Sequence, residues 1–278
     1  MCIIRQVYDA FMIVFPNAKI NIGLNITQRR PDGYHNLETI FYPLMIKDAL
    51  EAVESNELTF QSSGIPIPGD EQHNLCLKAY HALKKDFDLP PLSIHLHKHI
   101  PIGAGLGGGS ADAAFFIKLL NQSYNLGLGA DAMMDYARPL GADCAFFINN
   151  KPVYAYDKGD RFEDIDLDLS MYKLVLVMPQ AHVSTAQAYG GIKPAPVQTS
   201  LKELVRKPVT EWKTTIKNDF EGHIFKVFPV IQDVKEELYR SGALYASMSG
   251  SGASVFGIFE RTTDLSNLAQ HCQVFYNV

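Results

Sequence analysis

The chain has 278 residues, 47% of them hydrophobic and 20% charged, and these fractions are typical of a globular protein with a buried core. Its formal net charge of −5 excludes the basic footprint of a general nucleic-acid-binding protein. No apolar run approaches the ~20 residues that span a bilayer, and the four scattered cysteines without a CxxC pair argue against a zinc cluster and a disulfide framework. We therefore expect a cytoplasmic protein that binds neither nucleic acid nor membrane, with its oligomeric state left open.

The first eleven residues, Met1 to Phe11, lack the long apolar core and the cleavage site of a signal peptide. Met12 stands directly before the first predicted strand. The segment is therefore either an upstream extension from an alternative start or a frayed terminus, and the sequence does not decide between the two.

A strand is predicted where polar and apolar residues alternate from residue 18 to residue 26. Alternation puts every second side chain on one buried face, which would hold Ala18, Ile20, Ile22, Leu24 and Ile26. Lys19 and Asn21 would then project together from the other face. From these residues alone, an ordinary polar sheet surface is the simplest interpretation of that pair.

A turn follows the strand, because Pro31-Asp32-Gly33 combines a preset φ at proline with a glycine that accepts positive φ. The turn explains neither Tyr34 nor His35. A flat aromatic ring beside a ring that can donate and accept hydrogen bonds is what a pyrimidine pocket requires.

The next two elements are a helix and a strand. Helical spacing of apolar residues from 75 to 83 follows Asn74, which is well placed as a helix N-cap. Alternation from Ser93 to Ile100 predicts a half-exposed strand of an antiparallel sheet, with Lys98 as a plausible surface charge. The same strand carries an HxHxH run at residues 95–99, but no carboxylate or cysteine partner stands near it, so we predict no metal site there.

The most informative stretch places five glycines within residues 103–109, directly before an Ala-rich helix predicted from Ser110 to Tyr124. Glycines allow positive φ, so successive N–H groups can form an anion nest in front of a positive helix N-terminus. A flexible linker would not lead into a helix capped by Ser110. A Walker A loop is excluded because no lysine follows the last glycine, and the half-exposed strand and Pro101 make a dinucleotide fingerprint a weak alternative.

Three later segments complete the pattern. Leu140-Gly141-Ala142-Asp143 precedes an apolar run, and by itself Asp143 would be a helix cap. Residues 173–179 predict a buried strand, and the Gly-Ser turn within residues 247–256 fits a hairpin.

Taken together, these motifs resemble the GHMP kinase superfamily. Its second motif pairs an upstream proline with Gly-Leu-Gly, small residues and Ser-Ala, as at residues 101–111, and its first and third resemble residues 16–21 and 247–256. The tripled glycine, the Ala-Asp-Ala-Ala tail, Leu-Gly-Ala-Asp and Arg-x-Asp-Gly-Tyr-His-x-Leu resemble the branch that phosphorylates a cytidine-diphosphate-linked methylerythritol. The resemblance spans roughly residues 13–260.

The resemblance implies an α+β fold of two domains, a ribosomal-protein-S5-like N-terminal domain over residues 1–156 and a ferredoxin-like C-terminal domain over residues 157–278. It implies transfer of the ATP γ-phosphoryl group to a hydroxyl of 4-diphosphocytidyl-2-C-methyl-D-erythritol, giving the 2-phosphate of the non-mevalonate isoprenoid route. Asp143 would be the catalytic base and Lys19 would lie beside the transferred phosphate. Mg²⁺ should accompany ATP, with Ser110 as a candidate ligand and no carboxylate assigned.

The resemblance also assigns binding residues. The nucleotide would be held by Pro101, Ile102, Gly103, Ala104, Gly105, Leu106, Gly107, Gly108, Gly109, Ser110 and Ala111, with Asn74 and Lys98 nearby. The acceptor would be bound by Asn21, Tyr34, His35, Thr185 and Tyr189. Tyr34 and Tyr189 would sandwich the cytosine and His35 would bond its edge, while a surface position is the alternative for Tyr189.

Two other functions stay open. One is a different kinase of the superfamily, of the homoserine or mevalonate type, although such an enzyme would have no reason to carry Asp32-Gly33-Tyr34-His35. The other is a non-catalytic, nucleotide-sensing relative, against which the presence of both Lys19 and Asp143 argues.

Overall fold

The computed structural model describes residues 12–278, so the predicted extension or frayed terminus at Met1 to Phe11 lies outside the described residues. The strands are β1 (Met12–Val14), β2 (Asn17–Arg29), β3 (His35–Lys47), β4 (Ala49–Glu54), β5 (Thr59–Gly64), β6 (Leu92–Lys98), β7 (Val153–Tyr156), β8 (Arg161–Asp164), β9 (Lys173–Pro179), β10 (Tyr245–Met248), β11 (Val255–Phe259) and β12 (Cys272–Tyr276).

The helices are α1 (Leu75–Lys84), α2 (Gly108–Ser123), α3 (Ala130–Ala137), α4 (Phe146–Asn149), α5 (Thr185–Gly190), α6 (Leu201–Leu204), α7 (Val209–Thr215), α8 (Glu221–Val227), α9 (Pro229–Arg240) and α10 (Ser266–Ala269). Within residues 12–278, none is long and apolar enough to cross a membrane.

The first half of the chain forms two four-stranded sheets. One has the order β1-β4-β6-β5, in which only the β5–β6 pair is parallel, and the other is antiparallel with the order β2-β3-β7-β8. Helices α1 and α2 cover the first sheet, because its alternating strands bury residues such as Leu50 and Leu96 against Tyr80 and Phe116. The exposed residues of β6 include His95 and His97, which contact Ser63, as the predicted alternation requires.

The second half of the chain has the order of elements β-α-β-β-α-β, with several helices in the first crossover. Its antiparallel sheet has the order β10-β11-β9-β12, which is that of a ferredoxin-like domain. One face packs on the β2-β3 sheet through Trp212, and the other buries the apolar side of α9. The predicted α+β fold is thus observed, while the predicted boundary between residues 156 and 157 lies at the turn joining β7 to β8 and stays a prediction.

Strand β2 departs from simple alternation. It pairs Ile22 with Ile40 of β3 but Leu24 with Thr39, because a bulge at Gly23 shifts the register by one residue. Paired residues of antiparallel strands share a face, so Leu24 lies on the opposite face from Ile22. The prediction that all five apolar residues share one face is therefore wrong beyond Gly23.

The bulge needs glycine for two reasons. Its φ is +70°, and a Cβ there would stand 2.7 Å from side-chain atoms of both Ile216 and Leu201. The change of face places Leu24 in the same cavity as Lys19 and Asn21. The glycine bulge therefore places the apolar side chain of Leu24 beside two polar side chains in this cavity.

Candidate active site

The glycine-rich segment forms a loop that ends in a helix. Gly103, Gly105 and Gly107 have φ of +67°, +76° and +70°, and Gly107 is the N-cap of α2. The helix therefore begins at Gly108 and no side chain caps it, so the prediction that Ser110 is the cap is wrong. The first N–H groups of α2 have no intrahelical partner, and with the helix dipole they favour an anion at this end.

The loop is held from behind by the second domain. Ser249 Oγ donates to the carbonyl of Gly105 at 2.9 Å, and Ser254 Oγ donates to the carbonyl of Ala104 at 2.6 Å. A Cβ at Gly105 would overlap the Ser249 carbonyl oxygen, so this contact requires glycine. The segment that resembles the third motif thus forms the predicted hairpin, between β10 and β11, and it also supports the loop.

Asn218, which the sequence analysis did not single out, positions that hairpin. Its Nδ2 donates to the carbonyls of Met248 and Gly250, both at 2.8 Å, and its side chain is buried. A single asparagine in a helix-rich stretch carries no local signal of this role, because both acceptors come from a distant part of the chain.

Two cavities of about 370 Å³ each meet at the loop. The first is lined by Ile67, Pro68, Asp70, His73, Asn74, Leu75, Lys98, residues 101–110 and Asp112. The second is lined by Lys19, Asn21, Leu24, Leu37, Thr39, Phe41, Gly103, Gly105, Gly107, Ser110, Ala142, Asp143, Lys158, Gly159, Val183, Thr185, Tyr189, Phe220, Gly250 and Ser251. Gly103, Gly105, Gly107 and Ser110 line both, so a group held by the loop can be reached from either side.

Lys19 and Asp143 meet in the second cavity. Lys19 Nζ lies 3.2 Å from Asp143 Oδ2, donates to Asn21 Oδ1 at 2.6 Å, and stands 4.9 Å from the Phe41 ring centroid. The Lys19 side chain is 4% exposed, whereas that of Asp143 is 29% exposed and open to the cavity. The interpretation of Asp143 as a helix cap is wrong, because α4 is preceded by Ala145 and has no side-chain cap.

Asn21 is oriented by its neighbours. Its Oδ1 accepts from Lys19, and its Nδ2 donates to Thr39 Oγ1 at 3.0 Å. Asn21 and Lys19 are both buried, so the interpretation of this pair as an ordinary polar sheet surface is wrong.

Asn74 and Lys98 lie at the first cavity. Asn74 Oδ1 accepts from the Cys76 N–H at 2.8 Å, so the predicted N-cap of α1 is confirmed, and the residue also lines the cavity. Lys98 is 3% exposed and forms ion pairs with Asp48 and Asp112. Its interpretation as a surface charge is therefore wrong, and its predicted contact with the nucleotide stays a prediction.

The predicted pyrimidine residues form a group at one end of the second cavity. The His35 ring stacks on Tyr189 with centroids 4.9 Å apart, and Tyr189 meets Phe220 edge-on at 4.9 Å. Tyr34 is 63% exposed, with Lys158 Nζ 5.3 Å from its ring centroid. Tyr34 and His35 do not line the cavity themselves, but each contacts a residue that does, and Lys158 lies over one face of the Tyr34 ring.

Tyr189 and Thr185 come from α5. Tyr189 is partly buried, contacts His35 and Phe220 and lines the cavity, so it is not a free surface residue. Burial, and then the nearby Asp143 carboxylate, raise the pKa of Tyr189. Thr185 also lines the cavity, at the first position of a helix whose capping box joins Ser184 and Gln187. Phe220 and Lys158 complete this end of the cavity; the sequence analysis missed both, because neither stands in a motif.

The chain matches two family models, GHMP kinases N terminal domain over residues 74–151 and GHMP kinases C terminal over residues 200–277. A 4-diphosphocytidyl-2-C-methyl-D-erythritol kinase of Bacteroides fragilis is 54% identical over 268 residues, which cover 94% of this chain and 98% of the relative. A relative of the same name in Parabacteroides distasonis is 55% identical over 252 residues, which cover 91% and 93%. The chain belongs to the GHMP kinase family, in the branch formed by these relatives.

Solved structures agree with this GHMP kinase assignment. A crystal structure of 4-(cytidine 5'-diphospho)-2C-methyl-D-erythritol kinase matches with a TM-score of 0.79 at 27% identity, over 95% of this chain and 97% of that chain. The mevalonate kinase of Methanococcus jannaschii matches with a TM-score of 0.70 at 14% identity, over 97% and 98%. The second match shows the shared fold alone.

Proposed function

We propose that this GHMP kinase transfers the γ-phosphoryl group of ATP to a hydroxyl of 4-diphosphocytidyl-2-C-methyl-D-erythritol and forms the 2-phosphate. The observation that carries the proposal is the Lys19–Asp143 pair, 3.2 Å apart, beside a glycine-rich loop shared by two cavities. The choice of acceptor is supported by relatives of that name that are 54% and 55% identical over nearly the whole chain.

The loop and the start of α2 would bind the polyphosphate of ATP. The N–H groups of the nest and the helix N-terminus supply donors and a positive field. The first cavity extends away from the loop past Ile67, Pro68 and Leu75, an apolar lining that suits the nucleoside. Asn74, at the edge of this cavity, would lie near the base.

Asp143 and Lys19 would carry the chemistry from the second cavity. Asp143 accepts the proton of the acceptor hydroxyl as that oxygen attacks the γ-phosphorus, and the bond to the ADP oxygen breaks. Lys19, held by Asn21, keeps its ammonium between Asp143 and the loop, where it stabilises charge on the moving phosphoryl group. Most of the rate enhancement then comes from positioning and electrostatics.

The rim of the second cavity would select the cytidyl group. Tyr34 offers an open ring face, His35 a ring that donates or accepts, and Tyr189 a second aromatic surface. Thr185 adds a hydroxyl. Lys158, beside Tyr34 and lining the same cavity, supplies a positive charge suited to the diphosphate.

Mg²⁺ is expected with ATP, and the residues present fit this ion. Mg²⁺ keeps several waters and binds mainly through substrate phosphates rather than through an all-protein cage. Residues 12–278 contain no group of three or more His, Cys, Asp or Glu side chains arranged to hold a metal, whereas the Ser110 hydroxyl lies where the two cavities meet. We propose Ser110 as its protein ligand; when bound, the ion would neutralise charge on the phosphates.

A cytoplasmic location is part of the proposal. It is supported by the buried thiols of Cys76 and Cys144, which have no disulfide partner among residues 12–278.

The direct test is a coupled assay of ADP release with three acceptors: 4-diphosphocytidyl-2-C-methyl-D-erythritol, homoserine and mevalonate. Turnover is expected with the first alone, above a background measured without acceptor. Turnover with homoserine or mevalonate, and none with the cytidyl compound, would refute the proposed acceptor. ATP binding without turnover of any acceptor would favour the nucleotide-sensing alternative.

A further inference from the structure

A second charged cluster lies beside the loop at the first cavity, which Lys98 and Asp112 line, whereas the Lys19–Asp143 pair lines the second. Lys98 ends β6, Asp48 lies at the junction of β3 and β4, and Asp112 lies in the first two turns of α2. Their side chains are 3%, 0% and 4% exposed. The three residues come from the strand that enters the loop, the junction of the two N-terminal sheets, and the helix that leaves the loop.

The contacts tie these three elements together. Lys98 Nζ donates to Asp48 Oδ2 and, at 2.7 Å, to Asp112 Oδ2. Asp48 Oδ1 accepts from the backbone N–H groups of His99 and Ile100, at 2.6 and 2.8 Å. These two residues stand directly before Pro101, so Asp48 sets the path of the chain as it enters the loop.

The first residue of α2, Gly108, is closely packed against Ile100 and Lys98. A Cβ at Gly108 would lie 3.0 Å from Ile100 Cγ2 and 3.3 Å from Lys98 Nζ. The first residue of α2 therefore sits directly on the lysine and on the segment that Asp48 orients. A shift of Lys98 would move the helix N-terminus that faces the polyphosphate.

A buried cluster of this kind is not expected to add much to the stability of the fold. It holds two carboxylates against one ammonium in a buried place, and apolar replacements of buried ion pairs are often neutral or stabilising. Asp112 Oδ1 is buried and has no hydrogen-bond partner among the described residues. A costly arrangement that lines the first cavity is better explained by what it does to the loop.

We propose that Asp48, Lys98 and Asp112 form a clamp that sets the spacing between the entry of the phosphate loop and the N-terminus of α2, so that they are positioning residues for ATP. The inference rests on the proposed function, since it assumes that the loop holds ATP. It assigns Lys98 an indirect role in nucleotide binding and adds two residues without an assigned role: Asp48, which stands in no motif, and Asp112, the aspartate of the Ala-Asp-Ala-Ala motif.

The test uses three variants of the clamp: Asp48→Asn, Lys98→Met and the double variant Lys98→Met/Asp112→Asn. The control is Leu238→Ala, which creates a cavity in the other domain, because Leu238 of α9 is fully buried. The Kd for ATP is measured by calorimetry and the KM values by steady-state assay, well below each melting temperature. Asp48→Asn and Lys98→Met should raise the Kd and the KM for ATP about tenfold or more, with the KM for the cytidyl acceptor unchanged. The double variant should bind ATP no more tightly than Lys98→Met, because the contact that joins β6 to α2 stays broken in both.

Leu238→Ala should lower the melting temperature without changing the Kd for ATP. If the clamp variants behaved like Leu238→Ala, losing stability alone, the clamp would be purely structural and the inference wrong. If Lys98→Met weakened ATP binding but Asp48→Asn did not, Lys98 would act by direct contact, which also overturns it. Wild-type protein that bound no ATP would instead refute the proposed function, and calorimetry detects that failure without any acceptor.

Discussion

Two buried lysines border the glycine-rich loop, Lys19 at Gly107 and Lys98 at Gly108, and their surroundings differ. Lys19 faces one carboxylate, Asp143, whose side chain is 29% exposed to a cavity. Lys98 faces two carboxylates, Asp48 and Asp112, that are 0% and 4% exposed. The first pair has an open side where a hydroxyl and a phosphoryl group can enter, whereas no side chain of the second group is more than 4% exposed, although Lys98 and Asp112 border the first cavity. We propose that access, rather than residue type, distinguishes the charge pair that reacts from the one that positions the loop.

The largest effect should come from the open pair. Asp143→Asn is nearly isosteric, but an amide cannot accept the hydroxyl proton, so kcat should fall about 10²–10⁴-fold while both KM values change little. Lys19→Met should also lower kcat strongly, and the double variant should lose far less than the product of the two effects, because the residues act as a unit. Steady-state kinetics measure all three. Full activity of correctly folded Asp143→Asn, as judged by circular dichroism, would remove Asp143 from the chemistry.

The next largest effect is expected in the glycine-rich loop that both lysines border. Gly107→Val puts a β-branched side chain at a φ of +70°, and its Cβ would lie 3.1 Å from Lys19 Cε and from the Phe147 ring. We expect ATP affinity, measured by calorimetry, to fall roughly a hundredfold, which corresponds to about 2.7 kcal/mol. Gly222→Ala is the control, because a Cβ at this helical glycine meets nothing within 4 Å. Unchanged ATP affinity in Gly107→Val would show that the glycine run does not hold phosphate.

Tyr34 tests whether the open side also selects the acceptor. Tyr34→Ala should raise the KM for the cytidyl compound roughly ten- to a hundredfold, because base–aromatic stacking contributes about 1–3 kcal/mol. ATP binding should stay intact, and Tyr34→Phe, which keeps the ring, should retain the wild-type KM. An equal loss of ATP affinity in Tyr34→Ala would assign Tyr34 to the nucleotide or to the fold.

The smallest effect concerns the protonation of Asp112 in the buried cluster around Lys98. Asp112 faces Lys98 from β6, Asp48 from the β3–β4 junction and the Cys76 thiol from α1, and desolvation raises the pKa of Asp112 to about 7 from its usual 3.8. Since the folded protein then binds the proton more tightly than the unfolded chain, this group's stabilisation is present at low pH and is lost as the pH rises through about 7. The free energy of unfolding of Asp112→Asn relative to wild type should therefore increase between pH 5 and pH 8. Chemical denaturation at several pH values measures it, and a constant difference would mean that Asp112 titrates normally.

Local patterns predicted several elements well. The apolar run at residues 173–179 is strand β9, and Asn74 caps α1, because strand burial and helix capping depend on residues next to one another. The glycine run predicted a loop before a helix for the same reason. Its helix nevertheless begins at Gly108, since Gly107 in the left-handed conformation ends the loop without help from Ser110.

Other predictions failed where a side chain depends on distant partners. Lys98 lies on the buried face of β6, as its alternation with the exposed histidines requires, and the surface interpretation failed because the sequence does not show that Asp48 and Asp112 pair with its charge. Gly23 shifts the register of β2, a change set by how the strand packs on Ile216 and Leu201. The sequence did not point to Lys158, Phe220 or Asn218, because none of them stands in a recognisable motif.

The sequence by itself determined the chemistry that this protein can offer: a glycine-rich anion loop, a lysine on a strand, an aspartate after Leu-Gly-Ala and a Tyr-His pair after a turn. These depend on residue type and short spacing, which a linear chain displays directly. Only the tertiary structure decided which charged groups are accessible and which are buried, and it did so through contacts such as that of Lys98 with Asp48, 50 residues apart in sequence. The physical reason is that burial and charge pairing belong to the packed interior, where residues far apart in sequence exclude water together.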